Sequence, residues 1–199
     1  MGSHFGNAST FLISALFGMY ILAVMLRFLF QWVHADFSNP ISQFIYKITN
    51  PPLMPLRRFI PGFRGLDLTA ILLLLVLQCT EFIIIGLLPG QPMPAFPGIL
   101  AWALAELLGL WINIYIFGII ILSIISWISP MSYNPIVGLI SQITNPVMRP
   151  IRRLIPPMSG IDLSPMFALF ALIFVKMAII EYLIFLFKNL AFPNANYLF

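Results

Sequence analysis

Thr49-Asn50-Pro51-Pro52-Leu53-Met54-Pro55-Leu56-Arg57-Arg58-Phe59-Ile60-Pro61-Gly62-Phe63-Arg64-Gly65-Leu66-Asp67 returns later in the chain as Thr144-Asn145-Pro146-Val147-Met148-Arg149-Pro150-Ile151-Arg152-Arg153-Leu154-Ile155-Pro156-Pro157-Met158-Ser159-Gly160-Ile161-Asp162. A single shift of 95 positions, 67 to 162, carries Thr-Asn-Pro, Pro55, Arg57-Arg58, Ile60-Pro61, Gly65 and Asp67 onto their partners without a gap. Upstream the same shift superposes Trp32 on Trp127 and Asn39-Pro40 on Asn134-Pro135. Agreement across such varied residue types marks a duplication, so the chain is two copies of one unit.

Each copy brackets its basic, proline-rich segment with long apolar blocks. Of 199 residues, 61% are hydrophobic and 8% charged, with a mean hydropathy of +1.01; soluble domains carry about a quarter charged residues. Four apolar blocks, at 7–33, 68–88, 99–128 and 163–187, reach the roughly 20 residues that a bilayer core requires. The fold class that follows is an all-α membrane protein. Its four transmembrane helices form two parallel tandem repeats, each with an amphipathic interfacial helical connection. The first repeat spans 7–88 and the second 99–187, joined by 89–98. The residues before the first block include no Lys or Arg, so that block reads as a retained span and not a cleavable signal.

Charge placement orients the spans. Lys47, Arg57, Arg58 and Arg64 lie between the first and second spans, and Arg149, Arg152 and Arg153 between the third and fourth; 89–98 has no charge. The positive-inside rule then puts both basic connections in the cytoplasm, with both termini and 89–98 on the opposite side. Each copy holds an even number of spans, so the copies run parallel, about an axis along the membrane normal.

Within the connections, Asn39-Pro40 and Asn134-Pro135 combine an N-cap with proline at the first helical position. Ile41, Phe44, Ile45 and Ile48, and likewise Ile136, Leu139, Ile140 and Ile143, follow the i, i+3, i+4, i+7 spacing of one helical face. These short helices are expected to end where Asn50-Pro51 and Asn145-Pro146 open a second segment, because proline disfavours helical geometry in the residue before it. Arg57-Arg58 and Arg152-Arg153, set among Pro55, Pro61, Pro150 and Pro156, suit the headgroup level. They act either as topology anchors or as contacts for anionic lipid headgroups or a protein partner. Gly65 and Gly160 permit turns, after which Asp67 and Asp162 cap the next spans and are expected to pair with an arginine of their own copy.

Ionisable residues inside spans are functional candidates by default; here they are Arg27, Glu81, Glu106, Lys176 and Glu181. The copy-to-copy shift maps Glu81 onto Lys176, each roughly 21 Å above the start of its helix at 1.5 Å per residue. Glu106 enters from the other side to a similar depth. These three charges form either a buried ion pair with an added acid that fixes helix packing, or part of a cation or proton pathway. Arg27 has Leu122 as its counterpart, and its position near the end of its span predicts a side chain that reaches back to the headgroups. Glu181 is expected at the outer interface.

Enzymatic readings find little support. His4 and His34 have no His or Cys partner at ligand spacing, Cys79 is alone, and no nucleophile elbow or phosphate-binding glycine loop is present. No catalytic residues, metal ligands or cofactors are expected. The net charge of +4 rests on ten basic residues too segregated for a nucleic-acid surface.

The doubled pattern W…NP…TNP…P-x-RR-x-IP…G-x-D, in a chain with four spans, resembles the YggT family of bacterial inner-membrane proteins, also found in plastids. The resemblance covers both repeats. It implies a small multi-pass protein of the bacterial inner membrane without assigned enzymatic activity. It also implies links to osmotic stress and potassium or general ion homeostasis, to cell division or nucleoid organisation, and in plastids to cofactor assembly on cytochrome b6. Two functions follow as expectations: a structural or assembly factor organising lipids or protein partners, possible homo-oligomers included, or an ion-transport-associated protein.

Overall fold

The structure is a computed structural model and describes residues 2–58, 67–128, 134–155 and 162–193. The helices are α1 (Gly2–Trp32), α2 (Pro40–Arg57), α3 (Leu68–Gly86), α4 (Phe96–Ile128), α5 (Pro135–Leu154), α6 (Ser164–Val175) and α7 (Glu181–Ala191). A π-helical turn at Lys176–Ile180 joins α6 and α7. There is no strand among the described residues. Four stretches are long and apolar enough to cross a membrane, at Gly6–Trp32, Leu68–Gly86, Phe96–Ile128 and Ser164–Ala191. They match the expected blocks, the last running further toward the C-terminus. The all-α, four-span, two-repeat fold is therefore the one the duplication predicts.

The spanning helices pack in sequence, α1 on α3, α3 on α4, and α4 on α6 and α7. In the first copy α2 rests on α1 and α3, and in the second α5 rests on α4 and α6. Both connections lie at one end of the bundle, where Asn39 Nδ2 donates to the Pro135 carbonyl at 2.8 Å and the Asp36 N–H donates to Gln142 Oε1 at 3.0 Å. At the opposite end the Ala95 N–H donates to the Ala191 carbonyl at 2.7 Å. Gly98 there lies so close to α7 that a Cβ would fall 2.2 Å from the Ala191 nitrogen. Each repeat thus leaves and returns in the same sense.

The copies are not equally packed. Ile21, Val24, Leu29, Leu53 and Ala70 form the heart of the main core, in the first copy. Of the apolar stretch in the first span 39% of residues are buried, against 6% in the fourth, whose Phe170, Phe174 and Met177 remain exposed for lipid.

One expectation is corrected. The connecting helices do not stop at Asn50-Pro51 and Asn145-Pro146: α2 continues through Pro51, Pro52 and Pro55, and α5 through Pro146 and Pro150. A proline inside a helix costs about 3 kcal/mol, in part because it leaves the carbonyl four residues earlier without its donor. In α2 that loss is offset from outside the helix. Pro52 deprives Ile48, and Tyr20 of α1 donates its hydroxyl to the Ile48 carbonyl at 3.3 Å. Burial of Thr49 and Leu53, both 0% exposed, holds the proline-bearing turn against the spans.

Candidate functional site

At the connection end of the first copy, α1, α2 and α3 border a partly open cavity of about 480 Å³ lined by Arg27, Gln31, Phe37, Tyr46, Arg57, Asp67 and Thr69. Its walls follow from local sequence. Trp32 ends α1, and His34 takes the left-handed conformation, φ 53°, that reverses the chain. The bonds from the Ala35 N–H to the Phe30 carbonyl and from the His34 N–H to the Gln31 carbonyl complete a Schellman stop. Asn39 then caps α2 through the Ile41 N–H at 2.9 Å, with Pro40 in the first turn, as the sequence predicts. Asn134 does the same for α5 through Ile136, with Pro135 following. This sharp reversal lays α2 across the end of α1.

Arg27 is the central group. The expectation that it reaches the headgroups is corrected: it is 2% exposed. Nη1 donates to the Tyr46 carbonyl at 3.2 Å and to Thr49 Oγ1 at 3.1 Å, and Nη2 donates to Asn50 Oδ1 at 3.4 Å. Cζ lies 4.3 Å from the centroid of the Tyr46 ring, a cation–π contact. The reason is that α2 brings polar acceptors to Arg27 nearer than water can come. Thr49 in turn donates to the Ile45 carbonyl at 2.6 Å, so the network is anchored in α2.

The expected acid–base locks are present, with a definite choice of arginine. Arg57, not Arg58, pairs with Asp67, whose Oδ1 also accepts the Ala70 N–H at 3.2 Å and caps α3. In the second copy Arg152 Nε meets Asp162 Oδ2 at 3.1 Å. Asp162 accepts the Ser164 N–H at 2.9 Å, although α6 begins with Leu163 in the capping position. Partial burial raises the Asp162 pKa, but the Ser164 bonds and the Arg152 charge outweigh it and hold the carboxyl below its ordinary range. Arg58 and Arg153 are exposed. Pro61, Gly65, Pro156 and Gly160 lie outside the described residues.

The in-span charges do not form the expected pair. Among the described residues Glu81 makes no ion pair with Lys176. Glu81 instead accepts from Gln78 Nε2 at 2.9 Å on its own helix, with Ser14 of α1 as a further polar neighbour. Glu106 accepts from Trp102 Nε1 at 3.0 Å, and Lys176 opens the π turn of the fourth span. Equal height along two helices does not place two side chains on facing surfaces. Neither acid lines the cavity, and Glu181 is exposed.

Gln31, Tyr46 and Thr69 were not singled out by motif reading. A signal for two of them exists: where the first copy has Arg27, Gln31 and Tyr46, the second has Leu122, Ser126 and Ser141. These three departures from the repeat meet at one cavity.

Fold and site together define a four-span membrane protein of two parallel repeats, each clamped at one end by an amphipathic, proline-bearing helix. The chain belongs to the CCB3/YggT family, whose model matches residues 6–88 and again 101–183. An uncharacterized protein of Pseudomonas aeruginosa is 42% identical over 176 residues, covering 88% of this chain and 89% of that one. The YggT protein of Escherichia coli K12 is 36% identical over 178 residues, 89% and 92% of the two chains. A protein of Vibrio alginolyticus is 39% identical over 159 residues, 79% of this chain and 85% of its own. No solved structure matches the chain significantly.

Proposed function

We propose that this chain is a non-enzymatic organiser of the bacterial inner membrane, a structural or assembly factor whose connection end gathers anionic lipid and through it protein partners. On this reading both basic connections face the cytoplasm, and both termini with 89–98 face the opposite side. The observation that carries it is the arrangement at that end. The turn and cap that lead into α2 are tied to α5 of the other repeat by the Asp36–Gln142 and Asn39–Pro135 bonds, and the exposed Arg58 and Arg153 each follow an arginine paired with the aspartate that precedes the next span. Juxtamembrane arginines at headgroup level attract anionic lipid by about 1 kcal/mol each.

The ion-transport alternative draws less support. Glu81 and Glu106 are each engaged by a neighbour on their own helix, which favours a packing role over a shared pathway. Extraction of the protein with its surrounding lipid in polymer discs tests the proposal. The retained lipid is expected to be richer in anionic species than the bulk membrane, and the enrichment is expected to fall in an Arg58→Gln, Arg153→Gln double variant. Retained lipid of bulk composition, or cation flux in proteoliposomes above protein-free vesicles, counts against it.

A further inference from the structure

We infer that the cavity between α1, α2 and α3 is a specific seat for one monoanionic phosphodiester, the chemistry of an anionic lipid headgroup. This deepens the proposed function and rests on its placing of the connection end among headgroups.

The first ground is an incompletely compensated charge. Buried charges are ordinarily paired, yet the described bonds of Arg27 all go to neutral oxygens, of Tyr46, Thr49 and Asn50. A guanidinium has five N–H donors, and these bonds use three, so two have no partner among the described residues on a side chain that is 2% exposed and lines the cavity. Asp67, the only acid among the described lining residues, is taken by Arg57.

The second ground is the charge balance of the walls. Among the described lining residues, Arg27 and Arg57 against Asp67 leave a formal excess of one positive charge. That matches a phosphodiester, which carries one negative charge, better than a phosphate monoester, which carries about −1.5 to −2 near neutral pH. Gln31 adds an uncharged donor and acceptor suited to a headgroup hydroxyl. The space, about 480 Å³, is within the range of small-molecule sites.

The third ground is asymmetry. Leu122, Ser126 and Ser141 replace Arg27, Gln31 and Tyr46 in the second copy, so the chemistry occurs once per chain. A loose attraction to two basic connections would have no such stoichiometry.

The full chain in neutral detergent provides the test, with binding read by native mass spectrometry and by thermal unfolding. Phosphatidylglycerol, phosphatidylcholine with the same acyl chains, and inorganic phosphate are added separately. One phosphatidylglycerol per chain is expected to bind with a Kd at least about tenfold below that of phosphatidylcholine. Protection by inorganic phosphate alone would overturn the phosphodiester assignment and point to a soluble anion. Because Arg27 variants are prone to unfold, the decisive substitution is Gln31→Glu, which cancels the net charge of the walls without removing a described bond. It is expected to weaken phosphatidylglycerol about tenfold or more without lowering lipid-free unfolding stability, since the new carboxylate faces the same undercompensated charge. Equal binding of both lipids without a phosphate effect, or undiminished phosphatidylglycerol binding by Gln31→Glu, overturns the inference. Loss in the Arg58→Gln, Arg153→Gln variant but not in Gln31→Glu would remove the seat while leaving the proposed function standing. Absence of anionic preference in every form, including the discs, would remove both.

Discussion

Arg27 binds the first copy together through hydrogen bonds to residues 19 to 23 positions away. A hydrogen bond to a charged group contributes about 1.5–3 kcal/mol. Arg27→Leu, which installs the residue of the second copy, is expected to lower unfolding stability in detergent by about 3 kcal/mol, since Thr49 and Asn50 lose their donor. Leu122→Ala should cost less. A second residue-scale expectation concerns acid. The Asp162 carboxyl is held below its ordinary pKa, so its contribution is full above that ordinary value and fades as pH falls through the lowered one. With the partners 51% and 35% exposed, the effect is screened to no more than about 0.5 kcal/mol. The stability difference between wild type and Asp162→Asn, followed by unfolding midpoints, should therefore shrink in strong acid and stay constant near neutrality. That Arg27 differs from its counterpart is legible in the sequence; that it is buried is not, because the acceptors reach it only once α2 docks.

Among the elements, the proline-bearing helices depart furthest from sequence expectation. Local rules place a boundary before each proline, and tertiary contacts override them in α2 and α5. Tyr20 and Pro52 should therefore be energetically coupled. Tyr20→Phe is expected to destabilise the natural chain by about 1 kcal/mol and to be nearly neutral in a Pro52→Ala background, where residue 52 supplies its own N–H to Ile48. An additive double-mutant cycle would show that the Tyr20 bond carries no weight. At the other end, α4 and α7 cross with no room for a side chain at Gly98. Gly98→Ala should cost roughly 1–3 kcal/mol through displaced backbone. Gly138→Ala, where a Cβ meets nothing within 4 Å, is the matched control. Comparing their melting temperatures separates a packing effect from a general gain in helix propensity. The π turn at Lys176–Ile180 had no sequence signature, since its equivalent in the first copy, from Glu81, stays α-helical.

At the scale of the molecule, the two connections share one end and residues 95 and 191 meet at the other. In a Cys79→Ala background, cysteines placed at Arg58 and Arg153 are expected to react with an impermeant thiol reagent only from the cytoplasmic side. A cysteine at Gln91 should react only from the opposite side. Labelling of Arg58 and Arg153 from different sides would break the parallel arrangement.

Hydropathy and duplication by themselves determined the membrane class, the four spans, the repeat and the caps at Asn39 and Asn134, because each depends on residues close together in the chain or on composition summed over about 20 positions. The Asp67 and Asp162 pairs were legible for the same reason, their arginines lying ten residues away. Tertiary structure alone decided which charges meet. Residues at equal depth can face different neighbours, so Glu81 and Lys176 stay apart. Arg27, whose sequence position pointed to the membrane surface, is closed in by α2 and becomes a wall of the cavity at the connection end.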